Sequence, residues 1–268
     1  MKATTITADR DGGRDDVSTG RVFVRTCAAE WTRLWTVKST WWFVAAATVV
    51  MVGLGTALGF EAAADPAELQ GGPAWTTARY IAMPAQFAFL GLALTAVTSD
   101  YATGGIVTTL QWTPRRAVLF FARTIVTAGA AAGLGVFLAV ASALAAFTTA
   151  GSALILPLDK GLDMLAAVAF VFGAGTVLAI GLGFLLRGIA GALVTAFLVM
   201  LALPLLLPLF GDWMSALAEI LPGSGAVFLL LGEMRTMTKT SSVVVLLAWA
   251  IGVLLLGWLR LMRDDANR

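Results

Sequence analysis

The sequence predicts an all-α polytopic membrane protein with six transmembrane helices, an N-terminal amphipathic interfacial helix and a re-entrant hairpin before the last helix. Three observations predict it. Of 268 residues, 59% are hydrophobic and 13% charged, where a water-soluble domain carries about 25% charged residues. The mean hydropathy is +0.88. Six uncharged apolar runs, at 41–60, 80–98, 124–147, 164–186, 188–210 and 243–259, lie mostly near the ~20 residues that cross ~30 Å of hydrocarbon as a helix.

Taken in order, residues 1–20 are rich in Asp, Arg, Gly and Thr and have little to bury, which predicts a disordered cytoplasmic tail. Placed on a helix, residues 21–40 gather Phe23, Val24, Cys27, Trp31, Leu34 and Trp35 on one arc and Arg21, Arg25, Thr26, Thr32, Arg33 and Thr36 opposite. A Trp-rich apolar face against a basic face predicts a helix lying in the headgroup plane of the bilayer. The polar lead before the first run is too long for a cleaved signal peptide, so that run reads as an anchored span. The fourth and fifth runs are separated only by Arg187 and must turn sharply there, and the last run is short and borrows Ser241 and Ser242. Two glycine pairs four apart, Gly55/Gly59 and Gly129/Gly133, read as close helix packing within the bundle. Between 211 and 240, two apolar halves flank Leu221-Pro222-Gly223-Ser224-Gly225. Each half is about ten residues, the length of a re-entrant segment, with Pro222, Gly223 and Gly225 supplying the turn; one long amphipathic surface loop is the alternative. Residues 21–260 then form a single six-helix domain, with a cytoplasmic tail at 261–268.

Charge placement sets the orientation. Of 18 Lys and Arg, all but Arg79, Lys160, Arg235 and Lys239 fall before residue 41, within 99–123, at 187 or after 259. The positive-inside bias therefore puts both termini in the cytoplasm of a cell-membrane protein. The net charge of +2 points to no polyanionic partner such as nucleic acid, and the apolar composition makes the lipid bilayer the surroundings. Zero histidines and the single Cys27 exclude Ser-His-Asp chemistry, the commonest metal sites and an internal disulfide. No charge lies within the six runs, Arg123 and Arg187 standing at their edges, which argues against a proton relay and against a membrane-embedded acid–base enzyme. There is no Gly-x-x-x-x-Gly-Lys-[Ser/Thr] phosphate loop, and the soluble segments are too short for a nucleotide-binding domain. The chain is expected to be no enzyme and to hold no cofactor or metal itself.

The segment 99–116 carries the strongest local signal. Gly104 and Gly105 permit a bend after Asp100 and Tyr101, Ile106, Val107 and Leu110 share one helical face, and Pro114 with Arg115 and Arg116 starts the next helix at headgroup level. A short connector with snorkelling arginines has the same periodicity.

At these residues the sequence resembles the permease subunits of ABC-2-type ABC transporters, particularly those of high-GC Gram-positive bacteria. The run Glu30-Trp31-Thr32-Arg33-Leu34-Trp35-Thr36-Val37-Lys38-Ser39-Thr40 is similar to the family's Glu-Trp-x-Lys-Leu-x-x-Val-Arg-Ser-Thr lead into its first span. The segment 99–116 is similar to its acidic-Tyr-x-x-Gly-Thr-Ile-Arg-x-Thr-Leu-x-x-x-Pro-Arg-Arg pattern, with Asp100 where the family mostly has Glu, Gly105 where it mostly has Thr and Val107 where it mostly has Arg. The resemblance implies a membrane transport subunit that pairs with a second permease copy or a related permease chain. It also implies two cytoplasmic ABC ATPase subunits, which use the ATP and Mg. Asp100, Tyr101, Gly104, Thr109, Pro114, Arg115 and Arg116 would form the coupling helix in the ATPase cleft, braced by the interfacial helix with Phe23, Glu30, Trp31, Arg33 and Trp35. Export is favoured, and the uncharged interior suggests an apolar or amphipathic cargo. The alternative is a non-transporting membrane scaffold or regulatory subunit of such a complex.

Overall fold

Apolar runs of this length leave the backbone one way to satisfy its hydrogen bonds in lipid, and the computed structural model, which describes residues 18–65, 72–105, 116–232 and 237–263, is accordingly helical. The described helices are α1 (Thr19–Thr36), α2 (Lys38–Ala64), α3 (Ala74–Ala102), α4 (Arg116–Ala150), α5 (Leu158–Leu186), α6 (Ile189–Phe210), α7 (Asp212–Glu219), α8 (Pro222–Leu231) and α9 (Lys239–Arg263). Helices α2 to α6 and α9 are long and apolar enough to cross a membrane. The chain is a multi-pass all-α membrane protein. A two-residue parallel pair, β1 (Gly72–Pro73) with β2 (Leu154–Ile155), joins the segments before α3 and α5.

Helices α3 and α5 form the centre, with 72% and 61% of their apolar windows buried, against 17% for α6. Phe89 of α3 meets Phe172 of α5 at 5.0 Å. Lipid offers no hydrophobic drive between helices, so close approach through small residues supplies the packing. Gly181 of α5 and Gly257 of α9 abut so closely that a Cβ on Gly181 would lie 2.7 Å from the Leu254 nitrogen, and one on Gly257 would lie 2.7 Å from the Gly181 carbonyl oxygen. Gly55 and Gly59 pack α2 on Ser142 and Ala146 of α4 in the same way, as expected. Gly129 and Gly133 do not: both are exposed and a Cβ on either would meet nothing within 4 Å. They share an outward stripe of α4 with Ile125 and Phe137, because the face of α4 that packs inward is set by Ala131, Leu138 and Ala139.

Arg187 ends α5 at a left-handed φ of 58°, its N–H reaching the Gly183 carbonyl, and α6 begins at Ile189. The sharp turn expected there is present. Helix α9 takes in Ser241 and Ser242, also as expected. The 211–240 segment departs from expectation. Helices α7 and α8 are bent by 84°, and the break is at Ile220 and Leu221 rather than in the Pro-Gly run. Pro222, Gly223 and Gly225 belong to α8 instead. Proline suits the first helical position because its missing N–H is not needed there. The glycines serve contact: a Cβ on Gly223 would lie 2.2 Å from the Met200 carbonyl oxygen and one on Gly225 would lie 2.8 Å from that of Ser242. Ser224 Oγ spans the bend to the Ala218 carbonyl at 2.5 Å.

Candidate functional site

Ser18 caps α1, its Oγ accepting from the Arg21 N–H. The helix stops earlier than expected, because Val37 is extended (φ −83°, ψ 125°) and residues 38–40 already belong to α2. Trp41 Nε1 donates across this break to the Trp35 carbonyl at 3.0 Å, and the Trp35 ring lies 5.5 Å from both Trp31 and Trp41. The face that packs on the bundle carries Glu30 and Leu34. Glu30 and Leu34 are buried, Leu34 against Leu92 and Ala130, whereas Val24 and Trp31 are 66% and 49% exposed and Phe23 and Trp35 are half-buried.

The reason is Arg123. Helix α4 is already formed at Arg116, so Arg123, expected at the edge of an apolar run, stands at least two turns inside the helix with no exposed surface. Its Nε and Nη2 each donate to Glu30 at 3.0 Å, and its Nη1 donates to Asp100 at 2.8 Å. Arg33 completes the set, with Nη2 donating to Asp100 at 2.6 Å and to the Ala96 carbonyl at 3.2 Å, and Nη1 to Glu30 at 3.3 Å. Two guanidiniums and two carboxylates thus alternate in a charge-balanced ring that joins α1, α3 and α4. Balance is what makes the burial tolerable, since an unpaired charge here would keep its full desolvation penalty. Arg33, expected on the polar face, instead turns under α1. Burial lowers its pKa and the Arg123 cation adds to that, while Asp100 and Glu30 oppose both.

Part of the expected coupling loop is helix. Asp100 and Tyr101 lie in the last turn of α3 and face inward, so neither is a free loop residue. The Arg187 guanidinium sits 5.2 Å over the Tyr101 ring, a cation–π contact, and Tyr101 meets Phe184 edge-on at 6.4 Å. Phe120 links Phe184 at 4.9 Å to Trp258 at 5.0 Å. Arg116 Nη1 donates to the Leu261 carbonyl at 2.9 Å, and Arg260 donates to that of Leu185. Gly104 has φ +70° and open space around it, so the bend expected after Asp100 and Tyr101 is present. Thr109, Pro114 and Arg115, with Ile106, Val107 and Leu110, lie outside the described residues.

All these contacts are at one end of the bundle. At the opposite end Arg79 Nη2 donates to the Leu229 carbonyl at 2.8 Å and Lys239 pairs with Asp163 at 2.5 Å. What the ring at the first end offers is a stiff link between α1 and the chain segment that follows α3. Sequence reasoning singled out Glu30, Arg33, Asp100 and Tyr101 but missed Arg123 as the partner of the two acids and Arg187 as that of Tyr101. The available signal was the rarity of charge: an arginine directly before an apolar run has few ways to avoid a carboxylate. In comparisons with protein-family models and with curated proteins, nothing matches the chain.

Proposed function

We propose that the chain is the membrane-spanning permease subunit of an ATP-driven ABC transporter of the ABC-2 type. In this reading it is an exporter of an apolar or amphipathic substrate, powered by separate cytoplasmic ATPase subunits and paired with a second permease chain. The observation that carries the proposal is the charge ring. The two segments that bear the sequence resemblance, around 30–42 and 99–116, are joined by the contacts of Glu30 and Arg33 with Asp100 and Arg123. A push from an ATPase on the segment after Gly104 would be felt at Asp100 and Tyr101 within one turn. From there it passes to α1 and α4 through the ring and to α5 through Arg187. Small displacements of this kind tilt packed helices between discrete arrangements and open the permease alternately to each side.

The remaining details fit that role. The basic bias places the ring end in the cytoplasm of the cell membrane. Helix α1 then lies at the inner headgroup level, and α7 with α8 forms a bent re-entrant pair at the outer side. Burial of charge in the ring does not restore a proton relay, because each carboxylate meets both arginines and the ring stands at one end of the bundle rather than along a path through it.

The test uses the chain assembled with its ATPase in lipid. Gly104 is exposed with positive φ, so Gly104→Val strains the bend by roughly 1–2 kcal/mol without touching the core. Normal insertion and thermal stability with loss of substrate-stimulated ATP hydrolysis is the expected outcome. Full stimulation in the variant would take coupling away from this segment.

A further inference from the structure

At the end of the bundle opposite the ring, the first turns of α3 and α5 hold two cavities with a shared wall. The wall is fixed by strand pairing of Pro73 with Ile155 and by Trp75, whose Nε1 donates to the Pro157 carbonyl at 2.9 Å. The Trp75 ring fills the space over Gly161, where a Cβ would lie 2.6 Å from it. One cavity, of about 280 Å³, is lined by Arg79, Asp159, Lys160 and Asp163. The other, of about 380 Å³, is mostly apolar, with Leu58, Ala62, Tyr80 and Leu154, and has Glu61 on its wall. Pro73 and Thr76 line both.

We propose that the joined cavities bind a zwitterionic phospholipid of the bilayer. Its phosphodiester rests on Arg79 and Lys160, its ammonium on Asp159 and Asp163, and one acyl chain runs over Leu58, Ala62, Tyr80 and Leu154. Three features argue for this occupant. The charged cavity carries two cations and two carboxylates, which matches a headgroup bearing both signs. Arg79 is held from behind by the Leu229 carbonyl, and its enclosed Nε meets no acceptor among the described residues; a guanidinium fixed in this way is preorganised for phosphate. Lys239 already rests its ammonium on Asp163, and both side chains are exposed, at 70% and 61%. That pair is weak, and it shows that Asp163 accepts an ammonium where a lipid amine would arrive. The cavities stand at the first turns of two membrane-crossing helices, which is headgroup depth. The proposal is independent of any ATPase partner.

The full-length protein, purified in detergent, would be titrated with phosphatidylethanolamine and with phosphatidylglycerol of the same acyl chains. Bound lipid is read by native mass spectrometry and by the shift in melting temperature. Wild type should retain the ethanolamine lipid roughly tenfold more tightly, and phosphoethanolamine without chains far more weakly. Asp159→Asn with Asp163→Asn should invert the preference towards phosphatidylglycerol. Leu154→Trp, which fills the apolar cavity, should weaken both lipids roughly tenfold and keep their order. Asp159→Asn alone, on an exposed first turn, should erase most of the preference and serves if the double variant folds poorly. Equal retention of both lipids by wild type, or an unchanged preference in both aspartate variants, would mean annular lipid without a site and would overturn the proposal. Headgroup binding as tight as that of the whole lipid would also overturn it, because the apolar cavity would then contribute nothing.

Discussion

Arg123 has no exposed surface, and all three of its nitrogens donate to carboxylates at 2.8 to 3.0 Å. Replacing it with leucine leaves Glu30 and Asp100 facing Arg33 alone, a net negative charge in a closed place. Breaking a buried ion pair in this way costs about 3–5 kcal/mol. Arg33→Ala should cost less, about 1 kcal/mol, since its side chain is 31% exposed and water shares its solvation. Glu30→Leu combined with Arg123→Leu leaves Arg33 and Asp100 matched, and should melt above Arg123→Leu alone. Thermal unfolding of the three variants in detergent checks this order. Equal melting of Arg123→Leu and wild type would show that the ring holds nothing together. At this scale the sequence was only partly legible. Glu30, Arg33 and Asp100 stand out because charge is rare in this chain, but Glu30 and Arg123 are separated by 93 residues. Their meeting depends on how α1 leans on α4, which no local pattern encodes.

The two glycine pairs carry the same four-residue spacing and have opposite surroundings, so their difference belongs to the packing of whole helices. Gly59→Leu would drive a side chain into the Ala146 carbonyl, 2.6 Å from the position of its Cβ. Separating α2 from α4 in this way should destabilise by about 1–3 kcal/mol or more. Gly129→Leu meets open space and should leave the melting temperature of the isolated chain within a degree or two of wild type or raise it, since leucine favours a helix over glycine. The contrast between the two melts is the measurement, and equal losses would contradict the outward placement of Gly129. The α7–α8 segment shows the same limit on sequence reading. Its two short halves follow from length, but the position of the bend does not. A Pro-Gly-Ser-Gly run is compatible with a turn and with the start of a tightly packed helix, and the nearness of Met200 and Ser242 decides for the helix.

For the whole molecule, the six apolar runs were legible: five lie within a described helix, and 188–210 starts one residue before α6. What composition did not give is the helix ends. The helices run past the apolar runs, α3 reaching Ala102 and α4 already helical at Arg116, the first residue described after 105. If both termini lie in the cytoplasm, a chain carrying Cys27→Ser and Leu158→Cys, the latter site 77% exposed, should react with a membrane-impermeant thiol reagent in intact cells. Thr103→Cys in the same background should react only after lysis, and the reverse pattern would invert the orientation. The ring has a further consequence for how this topology is made. Glu30 and Arg33 leave the ribosome together, Asp100 follows 67 residues after Arg33, and Arg123 comes last. The running charge of the group is therefore zero, then minus one, then zero again. Until the fourth helix emerges, the group carries one acid without a counterion, and α1 lacks its contacts with Arg123 and Ala130. The arrival of a single arginine then balances the group while the helices that follow are still being synthesised.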